Sequence, residues 1–327
     1  MKTEKSASCV PSLSLHICVP AKPEAGEDSS MYCYGASASV LGVFDGCGGA
    51  GSQHHQLYEN HTEAYMASRF CAGAFYDSFQ DLFPAEGTPE ELLQRYLSLT
   101  TERCGVTLST FRPPEADSRV KGSMVRVLPS TAAVVLVLPE KDGKYQAAAI
   151  WAGDSRCYVL DDYGLAQLTV DDTTVADPME NLYEDGVLKN IIHDGKALSL
   201  HVGVFTFKPP FCVLCATDGC FGYFTTPMEF EGALLQSLLA SKPPAAWEEL
   251  VSKIMGKVAG DDYTLCLAAY GFKDFRAMQK YFLLRTRFLT ETYLTELRQL
   301  PKAQREARQE MWSSYRTDYM RYIEGNT

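Results

Sequence analysis

Residues 39–49 read SVLGVFDGCGG, an apolar run that ends in an aspartate and a glycine-rich turn. The run Ser39–Phe44 has the length and composition of a buried strand, and it delivers Asp45 to its end. The three glycines that follow let the backbone approach a ligand closely. The stretch therefore predicts a buried strand that carries a carboxylate to a ligand site, where a metal ion is the candidate ligand.

Four further acidic signatures lie at turns or strand ends along the chain. They are Glu27-Asp28, Gly153-Asp154-Ser155-Arg156, Ala216-Thr217-Asp218-Gly219 and Gly260-Asp261-Asp262-Tyr263-Thr264, with Ser130-Thr131-Ala132 as a non-acidic landmark. Taken alone, each aspartate is more often a turn former or helix cap than a ligand. Hard divalent cations such as Mg²⁺ and Mn²⁺ prefer oxygen ligands, and a two-ion site needs carboxylates from distant parts of the chain. The set therefore predicts metal-assisted hydrolysis.

The order of these segments resembles that of the metal-dependent serine/threonine protein phosphatases of type 2C. The family pattern runs Glu-Asp, Asp-Gly-X-Gly-Gly, Ser-Thr-Ala, Gly-Asp-Ser-Arg, Ser/Thr-Asp-Gly and Asp-Asn-X-Thr. The resemblance covers roughly residues 10–271. Each motif alone is unspecific, because Asp-Gly is above all a turn dipeptide, whereas the joint order is specific. The resemblance implies an α/β fold, a four-layer α-β-β-α sandwich of two antiparallel sheets flanked by helices.

The resemblance also implies two to three Mn²⁺ or Mg²⁺ ions per chain. The implied ligands are Glu27, Asp28, Asp45, the carbonyl of Gly46, Asp154, Asp218 and Asp261. Asp45 would bridge two ions, and Asp218 and Asp261 would complete one of them, so these three are the expected catalytic residues. Asp154 would hold a third, weaker ion. Two such cations share a water, lower its pKa and offset charge on the phosphoryl oxygens, so no protein nucleophile is required.

Some positions depart from the family pattern. Cys47 stands where many eukaryotic members carry a histidine thought to protonate the leaving group. Bacterial relatives often lack that histidine, so a bacterial-type member is expected. The family arginine that binds phosphate, four or five residues before Glu27, is replaced here by Pro23 and its neighbours. Lys22 is the candidate substitute, as a point charge without a bidentate fork. Asp262 stands where asparagine is usual.

The predicted function is hydrolysis of phosphoserine or phosphothreonine in proteins, with phosphoproteins as substrates and a cognate serine/threonine kinase as a further candidate partner. The alternative is a catalytically impaired homologue that binds phosphoproteins or regulates a kinase. Cys47 and the missing arginine favour that alternative, and the intact set of carboxylates opposes it. A phosphatase for small phosphate esters is a third, weaker hypothesis.

The composition is typical of an intracellular enzyme. The chain has 327 residues, of which 46% are hydrophobic and 22% charged, close to the globular average. Eleven irregularly spaced cysteines, without a basic and then apolar N-terminal segment, indicate a reduced compartment, so we expect a cytoplasmic protein. A net charge of −11 gives no electrostatic footprint for nucleic acid. No apolar run reaches the length of about 18 residues that a membrane span needs.

The composition changes at Gly271. Residues 272–327 contain eleven Lys/Arg against seven Asp/Glu, a net charge of +4, which leaves −15 for the remainder. We therefore predict a catalytic domain over residues 1–271 and a C-terminal helical extension over residues 272–327. Helical spacing of apolar residues predicts two amphipathic helices on either side of Pro301. The extension either packs on its own acidic domain or docks a partner or second copy, and we expect no chemistry from it.

Periodicity predicts the other elements. Strands are expected near residues 13–19, 131–138, 145–152, 157–160, 165–170, 211–216 and 264–269, and helices near residues 53–83, from residue 88, and near residues 228–239 and 245–258. The stretch 171–201 has little periodicity and predicts a loop with at most one short helix. In the resembling family a mobile flap beside the active site falls here.

Overall fold

The computed structural model describes residues 8–114, 126–184, 186–195, 197–301 and 304–324. Its centre is a pair of five-stranded antiparallel sheets, with strands numbered along the chain. The first sheet has the order β1 (Leu13–Val19), β12 (Tyr263–Tyr270), β11 (Phe211–Ala216), β7 (Arg156–Asp161), β8 (Gly164–Gln167). The second has the order β10 (His201–Phe207), β6 (Tyr145–Ala152), β5 (Ala132–Pro139), β3 (Ser39–Phe44), β2 (Ser29–Tyr34). A small ladder pairs β4 (Val127–Ser130) with β9 (Ile192–Asp194).

The two sheets pack face to face, and their inner faces share one apolar core. That core joins Val43 and Val135 of the second sheet to Val213 and Cys266 of the first. Helices cover the outer face of each sheet, so every residue of β3, β6, β11 and β12 is buried. Strands buried on both faces lose the polar alternation of a half-exposed strand. This explains why the sequence shows them as uninterrupted apolar runs.

Helices form the two outer layers. Helices α1 (Glu63–Leu82) and α2 (Pro89–Thr110) cover the second sheet. The first sheet carries α3 (Asp218–Phe221), α4 (Pro227–Ala240), α5 (Pro244–Met255), α6 (Phe275–Leu289), α7 (Thr295–Leu297) and α8 (Arg305–Tyr319), with a π-helical turn at Thr290–Leu294. The predicted four-layer α-β-β-α sandwich with a C-terminal helical extension is thus confirmed.

The first residues of α1 and α2 show where local sequence signals predicted the start of a helix correctly and where they did not. The helix predicted from residue 88 is confirmed: the Thr88 hydroxyl accepts the amide of Glu91, and the Glu91 carboxylate accepts the amide of Thr88, which together form the capping box of α2. The prediction of a helix from residue 53 was wrong, because α1 begins only after its N-cap Thr62. Glu59 and Asn60 have φ of 51° and 65°, left-handed values that a right-handed helix cannot continue through.

Strands β2, β4, β9 and β10 were not predicted, and β9 lies within the stretch 171–201 that was predicted to be a loop. β2 and β10 are the two edges of the second sheet. An edge strand that is partly exposed mixes polar and apolar residues, so its pattern is weak. β10 also begins at the end of the stretch that was predicted to be a loop.

The C-terminal extension lies on the first sheet's helical layer. Buried apolar residues on both sides of Pro301 join the same core as α4 and β11; they include Met278, Phe282, Leu289, Trp312, Tyr315 and Tyr319. Two helical segments flank the proline as predicted, while a domain boundary at residue 271 stays a prediction. Among the residues the structure describes, no helix is long and apolar enough to cross a bilayer.

Candidate active site

The strand registers bring the scattered acidic signatures to one end of the sandwich. In the second sheet Phe44, the last residue of β3, pairs with Ser29, the first residue of β2. Asp45 follows β3 and Asp28 precedes β2, so the two aspartates lie at the same end of these strands. In the first sheet Ala216 pairs with both Arg156 and Leu265. The segments that carry Asp154, Asp218 and Asp261 therefore lie together at one end of these strands. Because the sheets stack, all five signatures surround one end of the molecule.

Asp45 lies at the centre of this end. Its amide donates to the Thr131 hydroxyl over 3.3 Å, and its carbonyl accepts from the Thr131 amide over 2.8 Å and the Ser130 hydroxyl over 3.0 Å. Its carboxylate has no hydrogen-bond partner among the described residues. Burial raises the pKa of the Asp45 carboxyl well above its ordinary value, and four neighbouring acids raise it further. Those acids are Asp28, Asp218, Asp154 and Asp261.

Asp28 is buried between the sheets' ends. It is 4% exposed, and the Thr217 hydroxyl donates to its carboxylate over 2.8 Å. Burial raises the pKa of the Asp28 carboxyl to about 7, although hydroxyls of Thr264 and Thr217 act in the opposite direction. The negative charge of Asp218 adds to the rise. Asp28 is thus a buried acid whose carboxylate lies near other acids.

Glu27 ties the glycine-rich turn to helix α1. Its carboxylate accepts the hydroxyl of Thr62, the N-cap of that helix. A Cβ at residue 48 would collide with the Glu27 carboxylate, and one at residue 46 would collide with the carbonyl of Ala64. The Asp-Gly-X-Gly pattern therefore leaves space for Glu27 and α1 to approach Asp45. Glycine is required here by close packing rather than by an unusual φ.

Asp154 and Asp218 line a cavity of about 330 Å³. Burial raises the pKa of the Asp154 carboxyl to about 8, and the charges of Asp218 and Asp171 add to it. Gly153 precedes Asp154 with a φ of 97°, a left-handed conformation that favours glycine. Part of the cavity wall comes from the segment between β8 and β9. This is the stretch in which the resemblance implied a flap.

The tandem aspartates divide their roles. Asp262 accepts the amides of Ala21 and Glu27 over 2.6 Å and 2.5 Å, so it closes the loop before the Glu-Asp pair. Asp261 is exposed at the same end of the sandwich, and its carboxylate accepts the amide of Asp262 over 2.8 Å. The sequence did not predict that Asp262 closes this loop, because Asp262 and the loop are far apart along the chain. Ligation by Asp261 stays a prediction.

Sequence reasoning missed a cationic side chain beside this loop. Lys22, the predicted substitute for the family arginine, is exposed in the turn. Arg69 of α1 instead donates to the carbonyl of Gly26 over 3.1 Å, with its guanidinium 3.4 Å from the centroid of the Tyr65 ring. It shares a cavity of about 140 Å³ with Asp28. Only its helical spacing from Tyr65 was visible in the sequence, which gave no link to Asp28.

A hydrated divalent cation fits this donor set. In the described parts of the chain, no three or more His, Cys, Asp or Glu side chains form a group that could hold a metal ion. Mg²⁺ commonly keeps several waters and takes only one or two carboxylates, so a group of three protein ligands is not needed. The half-buried carboxylate of Asp45 is surrounded by acids and has no hydrogen-bond donor among the described residues, so it supplies the site with negative charge. The residues therefore suit cations that bring their own water shell.

Comparison with known proteins gives similarity of structure only. No protein-family model matches the sequence, and no curated protein matches it. PppA, described as a key regulatory component of T6SS in Pseudomonas aeruginosa, is 20% identical with a TM-score of 0.54, covering 79% of this chain and 97% of its own. Serine/threonine phosphatase Stp1 from Staphylococcus aureus is 17% identical with a TM-score of 0.56, covering 83% of this chain and 100% of its own.

A third structure is the catalytic domain of the serine threonine protein phosphatase PstP in complex with two manganese ions. It is 16% identical with a TM-score of 0.52, and it covers 79% of this chain and 97% of its own. These neighbours are nearly complete in the alignment, whereas about a fifth of the present chain has no counterpart in the first and third. At these identities the likeness shows the shared fold.

Proposed function

Because this chain has the fold of the type 2C serine/threonine phosphatases, we propose that it hydrolyses phosphoserine and phosphothreonine in proteins with Mn²⁺ or Mg²⁺. The observation that carries the proposal is the half-buried carboxylate of Asp45, which has no hydrogen-bond partner among the described residues and lies among four other acids at one end of the sandwich. Clustered like charges are costly in a folded protein. The unfavourable cluster is explained if the acids bind cations, which in turn bind the substrate phosphate.

The proposed ligands are the acids at this end together with the Gly46 carbonyl. Asp45, Asp218 and Asp261 would hold the central ions, the Glu27-Asp28 pair would support them, and Asp154 would hold a further one. Bound divalent cations would stabilise phosphoryl charge as Lewis acids and lower the pKa of an attacking water. Thr217 and Thr62 orient the carboxylates of Asp28 and Glu27 by hydrogen bonds. Such supporting contacts keep ligands in place.

The side chains near Asp45 oppose a covalent mechanism. The Ser130 hydroxyl donates to the backbone, and the hydroxyls of Thr131 and Ser155 bond each other over 2.7 Å. Burial raises the pKa of the Cys47 thiol well above its ordinary value, and the charge of Asp45 raises it further. A thiol held in its neutral form is a poor nucleophile. The chain therefore supports direct attack by water.

Arg69 is our candidate for the positive side chain that meets the substrate phosphate, in competition with Lys22. A guanidinium can bind phosphate through two parallel hydrogen bonds, which an ammonium cannot. Arg69 lies beside Asp28, while Lys22 is on an exposed turn. Arg69→Met should raise the KM for a phosphopeptide about tenfold, and Lys22→Met should change it less than twofold. The reverse order would restore Lys22 to the role.

The test of the proposed function is turnover of para-nitrophenyl phosphate and of a phosphothreonine peptide with Mn²⁺, Mg²⁺ and a chelator. We expect phosphate release that depends on the metal. Folded protein with no turnover under any of these conditions, yet with affinity for the phosphopeptide, would favour the catalytically impaired homologue. Activity on the small ester alone would favour a phosphatase for small substrates. The phosphoprotein substrates would be products of a serine/threonine kinase.

A further inference from the structure

The segment Asp171–Glu184, between β8 and β9, forms part of the wall of the cavity that Asp154 and Asp218 line. It contains one short 3₁₀ turn, Glu180–Leu182, and no strand. A segment with so few backbone hydrogen bonds of its own needs contacts from other elements to keep one conformation. Gly153, His201 and Thr225 supply some of those contacts. Helix α8 supplies a further set, and we call this segment the wall loop.

Asp177 is the main junction between α8 and the wall loop. One carboxylate oxygen accepts the indole N–H of Trp312 over 3.2 Å and the Nε of Arg316 over 3.1 Å. The other oxygen accepts the amides of Met179 and Glu180, which starts the 3₁₀ turn. Trp312 is 1% exposed, so its ring belongs to the core, and its hydrogen bond to Asp177 is partly buried. A single carboxylate therefore orders the turn and ties it to the helix.

A second contact is electrostatic. Arg305 forms ion pairs with Glu180 and, over 3.7 Å, with Glu184. Its guanidinium also lies 4.8 Å from the centroid of the Tyr183 ring. Each exposed pair is worth little alone, but several on one helix reinforce one another. The arginines at the two ends of α8, Arg305 and Arg316, thus face acidic side chains of the loop.

The third contact reaches the neighbourhood of Asp154 from inside. The buried guanidinium of Arg156 donates to Asp171 through Nε and Nη2, with distances from 2.6 to 3.1 Å. Its remaining Nη1 donates to the hydroxyl of Tyr319 on α8 over 3.4 Å. Arg156 is two residues from Asp154. Helix α8 therefore supports both sides of the cavity, the wall loop and the segment that carries Asp154.

We propose that α8 is a positioning element of the active site, with Arg305, Trp312 and Arg316 fixing the wall loop so that the cavity accepts an extended phosphoprotein segment. This inference rests on the proposed function. A fixed wall lowers the conformational cost of binding a substrate that extends beyond the phosphate. A small ester, which needs only the phosphate site, should depend on α8 much less. In this role α8 positions the site and supplies no reacting group, so the expectation that the extension carries no chemistry stays a prediction.

The test compares two variants of the full chain. Arg305→Met with Arg316→Met removes the charges that face the wall loop and keeps the aliphatic stems. Arg321→Met is the matched control, because Arg321 pairs with Asp161 of the β7–β8 hairpin over 2.8 Å. The first readout is hydrogen exchange of the wall-loop amides in chelator. The second is KM and kcat for a phosphothreonine peptide and for para-nitrophenyl phosphate.

We expect wall-loop exchange in the double variant to accelerate about tenfold. The KM for the peptide should rise about fivefold, with kcat for the small ester within about twofold. The control should change neither readout. Unchanged exchange, equal acceleration in the control, or equal losses on both substrates would overturn the proposal. If the double variant unfolds, the same exchange measurement is made on Arg305→Met alone, which changes a partly exposed site. Its result then decides the proposal. A wild-type chain without phosphatase activity would defeat the proposed function, while exchange would still decide whether α8 fixes the loop.

Discussion

The carboxylate end of the sandwich and the interface beneath α8 use buried charge in opposite ways. Around Asp45 buried acids face one another, and their charges raise the pKa of its carboxyl beyond the effect of burial. Near α8, buried Arg156 meets Asp171 and buried Arg285 meets Glu231, each through at least two hydrogen bonds. A buried charge that is paired with an opposite charge is already neutralised within the protein, so it does not require a bound ion. Unpaired buried charge of one sign indicates a cation site.

The largest effect should come from Asp45→Asn. The amide keeps the size of the side chain and removes the charge that would bind the cations. Loss of several kcal/mol of transition-state stabilisation corresponds to a fall in kcat/KM of about a thousandfold. In chelator the variant should be more stable than the wild type, because one repulsive charge is gone. Steady-state kinetics with Mn²⁺ and thermal unfolding in chelator measure the two effects.

The control for that variant is Asp142→Asn, in the exposed turn between β5 and β6, which should leave both quantities unchanged. Turnover close to wild type in Asp45→Asn would remove Asp45 from the metal centre. A strong loss of stability in chelator would place Asp45 with the paired charges of the α8 region.

Glu231→Gln should have the opposite profile. Glu231 accepts Arg285 through two hydrogen bonds and the hydroxyl of Tyr315, all of them buried. The substitution leaves a buried guanidinium without its counter-charge, which costs about 3 kcal/mol of unfolding free energy. Urea unfolding measures this, and kcat per folded molecule should stay near wild type. Asp81→Asn breaks an exposed pair with Arg103 and should cost less than about 1 kcal/mol. Equal costs for the two variants would contradict the distinction.

The acids at the carboxylate end should make the metal-free protein less stable as the pH rises. The pKa of the Asp28 carboxyl is raised to about 7 and that of Asp154 to about 8, from an ordinary value of 3.8. The folded state therefore binds these protons more tightly than the unfolded chain does. Their stabilising contribution is complete below about pH 4 and is lost as the pH passes through the raised values.

In chelator we accordingly expect Tm to fall by a few degrees between about pH 5 and pH 8. Saturating Mn²⁺ should remove or reverse the trend, because bound cations favour the ionised acids. Asp45→Asn should flatten the curve in chelator. A Tm in chelator that rises over this interval would show that the carboxylates are compensated by charges within the fold.

The same contrast explains what the sequence could predict. The apolar runs of β3, β6, β11 and β12 predicted strands because both of their faces are buried, and the order of the acidic motifs predicted which strand ends carry ligands. Contacts between distant segments left no local signal. Asp262 closes a loop more than two hundred residues earlier, and Arg69 meets Gly26 from a helix. The junction of Asp177 with α8 is of the same kind, since nothing in the spacing of Trp312 and Arg316 identifies the loop they contact.

The smallest effect is expected for Asp154→Asn, which lies where the two regions meet. Asp154 is a half-buried acid of the carboxylate end, but the charge of Arg156 lowers the pKa of its carboxyl and so offsets part of its repulsion from Asp218. A weaker third ion should bind there, so removing the charge should lower activity about tenfold at low Mn²⁺ and by less than about threefold at saturation. A titration of activity against Mn²⁺ separates the two conditions. A loss as large as that of Asp45→Asn that Mn²⁺ does not restore would place Asp154 among the central ligands.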